Sequence, residues 1–229
     1  MTAVTLGHVS TSETSCRPLR RDAERNRQRV IEAARDLFAL RGLEATLNDV
    51  AHHAGLGVGT VYRRFPTKEE LLEAVFEDAI NQLTALAESA LHHNDSWQGF
   101  VWFFEQLCEI TATDRGVREM AFSKTHGGDQ VEAARVRLVP QITKLVERAQ
   151  QDGYLRPDLS PTDMPIFGLM AGTVSEFAGD VDAQLWQRYV AILLEGIRQR
   201  SGQTRLTINA LEDEDLEAAM QGWQPAGPR

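Results

Sequence analysis

Apolar residues recur along most of this chain at intervals of three and four, the spacing of one face of an α-helix. Val30, Ala33, Ala34, Leu37 and Phe38 form the first such face, and Gly42 predicts where that helix stops. Thr46 and Asp49 then predict a helix start, a capping box with Asp in place of the usual Glu. Val50, Ala51 and Ala54 give this short helix a small-residue inner face. Gly55 predicts a turn, because glycine tolerates a positive φ. A second short helix is predicted over 58–65, and Pro66-Thr67 interrupts it. Thr67 with Glu70 caps a long helix over 67–91, whose apolar face runs through Leu71, Leu72, Val75, Phe76, Ala79, Leu83, Leu86 and Leu91.

Beyond it an aromatic-rich helix carries Trp97, Phe100, Trp102, Phe103, Phe104 and Leu107, and Gly127-Gly128 marks a loop. A helix is predicted over 131–152, with Pro140 expected to kink or break it. A loop over 154–161 leads to a helix over 162–178. The last strong helix, 183–200, carries Trp186, Tyr189, Val190, Leu193, Leu194 and Ile197 on one side. No strand alternation and no internal repeat is visible, so the predicted fold class is all-α. The pattern divides into a flexible arm (1–20), a helix-turn-helix domain (21–68, motif at about 46–65), a regulatory and dimerisation domain (69–200) and an acidic, loosely ordered tail (201–229).

Charge changes the picture. The net charge of −9 over 229 residues speaks against a polyanion partner, but the distribution reverses that. Up to Lys68 there are 11 Lys/Arg against 7 Asp/Glu; after it there are 13 against 26. A basic segment on an acidic body suggests a face for nucleic acid. No stretch approaches the ~18 consecutive apolar residues of a membrane span. The start lacks the apolar run of a signal peptide, so the expected location is the cytoplasm, at the nucleoid. Cys16 and Cys108 form no CxxC pair, which argues against a disulfide framework and a zinc site.

The chemistry concentrates in 46–68. Two short helices around a glycine turn make a helix-turn-helix, whose second helix can lie in a major groove. Gly57 and Gly59 let the backbone approach a phosphate or base edge. Thr60 and Tyr62 offer hydroxyls, and Arg63 and Arg64 offer charge, arginine being suited to bidentate contact with guanine. Lys68 in the first turn of a helix opposes the macrodipole, unless an anion sits at that helix end.

The run Asp49-Val50-Ala51-His52-His53-Ala54-Gly55-Leu56-Gly57-Val58-Gly59-Thr60-Val61-Tyr62-Arg63-Arg64-Phe65-Pro66-Thr67-Lys68 resembles the DNA-binding region of the tetracycline-repressor (TetR) family. The resemblance covers about 24–80. It implies phosphate contacts from Thr46, Tyr62 and Lys68, and groove contacts from Val58, Gly59, Thr60, Arg63 and Arg64. Gly57 and Val58 depart from the Ser-Lys of many relatives, which weakens the cap and gives position 58 a side chain suited to a thymine methyl. The segments Leu155-Arg156-Pro157-Asp158-Leu159 and Trp186 to Gly196 resemble SbtR-like regulatory domains. This implies a homodimer formed through the last two major helices, with Trp186, Tyr189, Val190, Leu193 and Ile197 at the interface. The Gly168-x-x-x-Gly172 step fits close helix approach, either between copies or within one chain. Trp102, Phe103, Phe104, Met120, Phe122, Phe167 and Met170 are read either as an effector pocket or as core. A largely apolar small molecule in that pocket would tilt the long helix and lower affinity for a double-stranded DNA operator.

An enzyme is the rival class, but GxSxG, HExxH and Walker patterns are absent. Gly55-x-Gly57-x-Gly59 follows a helix, not a strand, which rejects a dinucleotide loop. His52-His53 and His92-His93 are adjacent pairs, poor geometry for one metal. No cofactor is expected. The alternative function is an acidic helical protein-interaction module that reads no DNA.

Overall fold

The computed structural model describes residues 16–121 and 128–222, with side chains over 24–120 and 128–220. Its described elements are helices: α1 (Cys16–Arg41), a 3₁₀ turn (Gly42–Glu44), α2 (Leu47–Ala54), α3 (Val58–Arg64), α4 (Lys68–Leu91), α5 (Ser96–Thr113), α6 (Arg115–Ala121), α7 (Asp129–Gln151), α8 (Asp163–Ala178), α9 (Leu185–Ile197) and α10 (Asp213–Gly222). One isolated antiparallel bridge joins Leu155 to Arg198.

Two hydrophobic cores are strung along α4. The first gathers Val30, Ala34 and Phe38 of α1, Val50 of α2, Val61 of α3 and the N-terminal half of α4 from Leu71 to Ile80. The second gathers Leu83, Ala87 and Ala90 of α4 with α5, the far half of α7, α8 and α9. One amphipathic helix thus feeds both cores, and each fully buried Leu, Val or Phe contributes ~1.5–3 kcal/mol. Thr67 starts α4 by accepting from the Glu70 N–H at 3.2 Å. Arg148 of α7 closes its other end, donating to the carbonyls of Leu91 (2.7 Å) and His93 (2.8 Å).

Several sequence expectations are corrected. α1 begins at Cys16, so residues 16–20 of the expected arm are helical. Packing does not break at Lys68, because Met120, Val131 and Ala134 complete the first core. Of the kink or break expected at Pro140, the break does not occur: α7 continues through it. The carbonyl it deprives of a donor belongs to Val136, which is 63% exposed, so water can reach it. α6 had no separate signal; Asp114 creates it by ending α5 and accepting from the Val117 N–H at 2.9 Å. The tail after Ser201 is tied to the body through Asp158 and contains α10.

Candidate nucleic-acid interface

Local chemistry builds the 46–68 segment residue by residue. Thr46 accepts from the Asp49 N–H at 3.2 Å and donates its own N–H to the Asp49 carboxylate at 2.9 Å. These bonds, with one from the Thr46 hydroxyl at 2.6 Å, hold the Asp49 carboxyl below its ordinary range. α2 ends on Gly55 at φ 64°, whose N–H caps the Ala51 and His52 carbonyls. Arg29 of α1 reaches across to the Ala54 carbonyl at 3.0 Å. The turn between the two short helices is therefore pinned from α1 as well as by its own glycine.

α3 is anchored by one residue and open on the rest of its surface. Val61 is fully buried, and Phe65 beyond the helix end is 5% exposed. Val58 and Tyr62 are exposed at 38% and 44%. A Cβ placed on Gly59 would meet nothing within 4 Å. Helical spacing puts 59 and 63 opposite Val61 and 62 to the side of them, with Val58 at the edge of the buried side and still exposed, so together they form the surface such a helix offers to a groove. Gly57 caps α3 without a side-chain hydrogen bond, as its departure from serine implies.

The cations already have protein partners. Arg63 folds back along α3, donating from Nε to the Gly59 carbonyl (3.0 Å) and from Nη2 to Thr60 Oγ1 (3.4 Å). Arg64 pairs with Glu24 of α1 at 3.7 Å, both largely exposed. Such pairs are worth ~0–1 kcal/mol, so either arginine can be released to DNA at little cost. Lys68 is half-buried, and its Nζ donates to the Leu43 carbonyl. The Leu43 N–H in turn donates to Glu119 of α6 at 2.8 Å. Sequence reasoning missed Leu43 and Glu119; the only local signal was the i,i+4 spacing of Arg115 and Glu119.

Among the described residues, the expected pocket set divides between the two cores. Met120 belongs to the first core and Phe103 to the second, and both are fully buried. Trp102 stacks on His93 at 5.7 Å between ring centroids, and Phe167 lies against Phe104 at 5.4 Å. Met170 is exposed, and Phe122 lies outside the described residues. Two clefts of about 370 Å³ lie elsewhere: one is lined mostly by polar side chains, among them Arg27, Glu77, Asn81 and Arg137, and the other mixes Glu32, Arg35, Asp36 and Asp114 with Ala39 and Ile110.

The expected interface residues also divide. A Cβ on Gly168 would stand 3.2 Å from Thr111, and one on Gly172 would stand 2.6 Å from Arg118, so this glycine step seats α8 on α5 and α6 of its own chain. Trp186, Val190 and Ile197 face inward, buried by the second core, and Leu193 is half-buried. Tyr189 is outward, together with Ile192 of α9, Phe177 at the end of α8 and Val181 in the turn that follows it; the last two are 88% and 91% exposed.

The chain is similar to known proteins at both ends. Residues 30–75 match the family model described as bacterial regulatory proteins, tetR family. Residues 95–199 match the C-terminal domain of SbtR-like transcriptional regulators. The HTH-type transcriptional regulator SrpR of Pseudomonas putida is 25% identical over 191 residues, 83% of this chain and 84% of that protein. A TetR transcription regulatory protein from Mycobacterium vanbaalenii superposes with a TM-score of 0.59 at 32% identity, covering 79% of this chain and 99% of that one. A TetR transcriptional regulator from Streptomyces coelicolor superposes with a TM-score of 0.59 at 25% identity, covering 76% and 99%.

Proposed function

The chain belongs to the tetR family of bacterial regulatory proteins, a DNA-binding transcriptional regulator, and we propose that it represses as a two-fold dimer released from a palindromic operator by a small molecule. The observation that carries the DNA-reading part is the open surface of α3, where Val58, Gly59, Tyr62 and Arg63 are exposed while Val61 is buried. One helix-turn-helix touches too few base pairs to select a genomic site, so paired half-sites are needed. Thr46, Tyr62 and Lys68 meet phosphates in this reading; Val58, Gly59, Thr60, Arg63 and Arg64 meet the groove.

The apolar residues left outward on α8, α9 and the turn between them support the pairing surface: Phe177, Val181, Tyr189 and Ile192. Four large apolar side chains on two helices in contact and the turn between them mark a surface that another protein surface covers. The effector has to open the second core, whose partly exposed members include Trp97, Trp102 and Phe167, so it is mainly apolar. α4 spans both cores and carries such a displacement toward α3. An interaction module that reads no DNA is disfavoured by the family match over 30–75.

The test begins with duplexes selected by the full chain from its source genome, followed by footprinting of the best one. Expected are two protected half-sites about one helical turn apart and, by light scattering, twice the 25.6 kDa chain mass. A monomer that footprints a palindrome at full affinity contradicts the dimer. Thermal-shift hits that leave operator affinity unchanged contradict effector release.

A further inference from the structure

We propose that Glu119, in the C-terminal body, is a positioning residue for Lys68 at the DNA end of α4, acting through the peptide of Leu43. The inference rests on the reading of Lys68 as a phosphate contact.

Leu43 is held from both sides. Its carbonyl accepts from Lys68 Nζ, and its N–H donates to Glu119 Oε2 at 2.8 Å. The other carboxylate oxygen, Oε1, accepts from Arg115 Nε at 2.6 Å, one turn back along α6. The carboxylate is thereby fixed by a guanidinium and passes that fixity to a single peptide of the 3₁₀ turn. An ammonium has three N–H donors. The bond to Leu43 uses one and aims the others, so the side chain reaches a phosphate without first losing its rotamer freedom.

The approach of α6 to this turn is built into the sequence. A Cβ at Gly42 would stand 2.7 and 2.8 Å from the Glu119 carboxylate oxygens and 2.8 Å from Arg115 Nε, at a φ of +65° that already disfavours other residues. A Cβ at Gly116 would stand 2.7 Å from Phe38 Cβ. Both glycines seat α6 directly on the end of α1.

The sign of the effect separates this from plain electrostatics. Glu119 is an anion, and removing it from a DNA-binding protein tightens binding if charge alone matters. Positioning predicts the reverse. A purely structural role for Glu119 predicts a loss that does not depend on Lys68.

The experiment titrates the full chain, over a range of salt concentrations, against a short duplex selected from a random-sequence pool. The variants are Lys68→Ala, Glu119→Ala and their double. Lys68→Ala is expected to weaken binding about tenfold, the size of one charge-assisted hydrogen bond, and to lower the salt slope by ~1. Glu119→Ala should weaken binding and flatten the slope in the same way, and should change nothing further in the Lys68→Ala background. Arg115→Ala, at a side chain 47% exposed, is carried through the same cycle and reads the same chain of contacts if Glu119→Ala does not fold. Unchanged or tighter binding by the position-119 variant, or a loss that persists without Lys68, overturns the inference. A Lys68→Ala protein that binds like the wild type sinks the phosphate reading first, and the inference with it.

Discussion

Asp158 holds Leu206 across 48 residues of chain: its carboxylate accepts the Leu206 N–H at 2.8 Å while pairing with Arg156. Arg156 also donates to the Thr204 carbonyl at 3.0 Å. Together the two side chains strap the segment after α9 to the loop before α8. The Arg156 hydrogen bond holds the Asp158 carboxyl far below the ordinary carboxylate range. A group whose folded pKa is depressed contributes stability above its unfolded value, ~pH 4, and loses it as pH falls toward the folded value. Limited proteolysis should therefore leave residues 201–211 intact at pH 7 and cut them in Asp158→Asn at the same pH. Because the pair is partly solvated, the stability lost is expected to be ~1 kcal/mol or less. Equal cutting of both proteins would show that the strap does not hold the tail.

Asp49→Ala is expected to lower stability at neutral pH, since it removes the acceptor of the Thr46 N–H and half of the box that starts α2. The Asp49 carboxyl is held low by Thr46, so the wild type's advantage over this variant is present above ~pH 4 and shrinks as pH falls below it. Urea unfolding of both proteins at pH 7 and pH 3 checks this; a gap that is the same at both values contradicts it.

The helix-turn-helix is legible because its determinants are local. Thr46 and Asp49 are three apart, Gly55 takes the turn it predicts, and the alternation of Val61 and Tyr62 between core and surface follows from helical period. Long-range partners are not legible in that way. Gly168 and Gly172 announce that something approaches α8, but not that it is Thr111 and the stem of Arg118 from the same chain. Met120 and Phe103 are both apolar, and only the path of α6 against α1 puts Met120 in the first core while Phe103 of α5 joins the second. Lys68 has the residue type of a phosphate contact, yet its partner in the folded chain is a carbonyl 25 residues away.

The division of α9 into inward and outward residues gives a paired prediction. Ile192→Glu and Phe177→Glu alter exposed side chains and should leave helical circular dichroism and thermal unfolding of the subunit near wild type. Light scattering should then report the 25.6 kDa single chain instead of its double. Trp186→Ala, 6% exposed in the second core, should instead lose ~3–5 kcal/mol of stability by leaving a cavity. Dimers that survive both charged substitutions would move the pairing surface elsewhere.

Tyr62 and Arg63 are neighbours on the open side of α3, and their chemistry predicts different failures. The Tyr62 ring is 44% exposed and ends in a single hydroxyl, which can donate to a phosphate but carries no charge. Tyr62→Phe should therefore weaken binding to every duplex alike, cognate or not, and leave the salt slope unchanged. Arg63 is a fork now resting on the Gly59 carbonyl and Thr60 Oγ1, neutral acceptors that a guanine O6/N7 edge can replace. Arg63→Ala should cost ~1–3 kcal/mol on the selected duplex and relax the preference at one guanine of each half-site. A panel of duplexes with single-base changes, titrated against both variants, separates the roles. If Tyr62→Phe alters the preference at one position, or Arg63→Ala weakens all sequences equally, the two assignments are exchanged: Tyr62 reads a base and Arg63 holds the backbone.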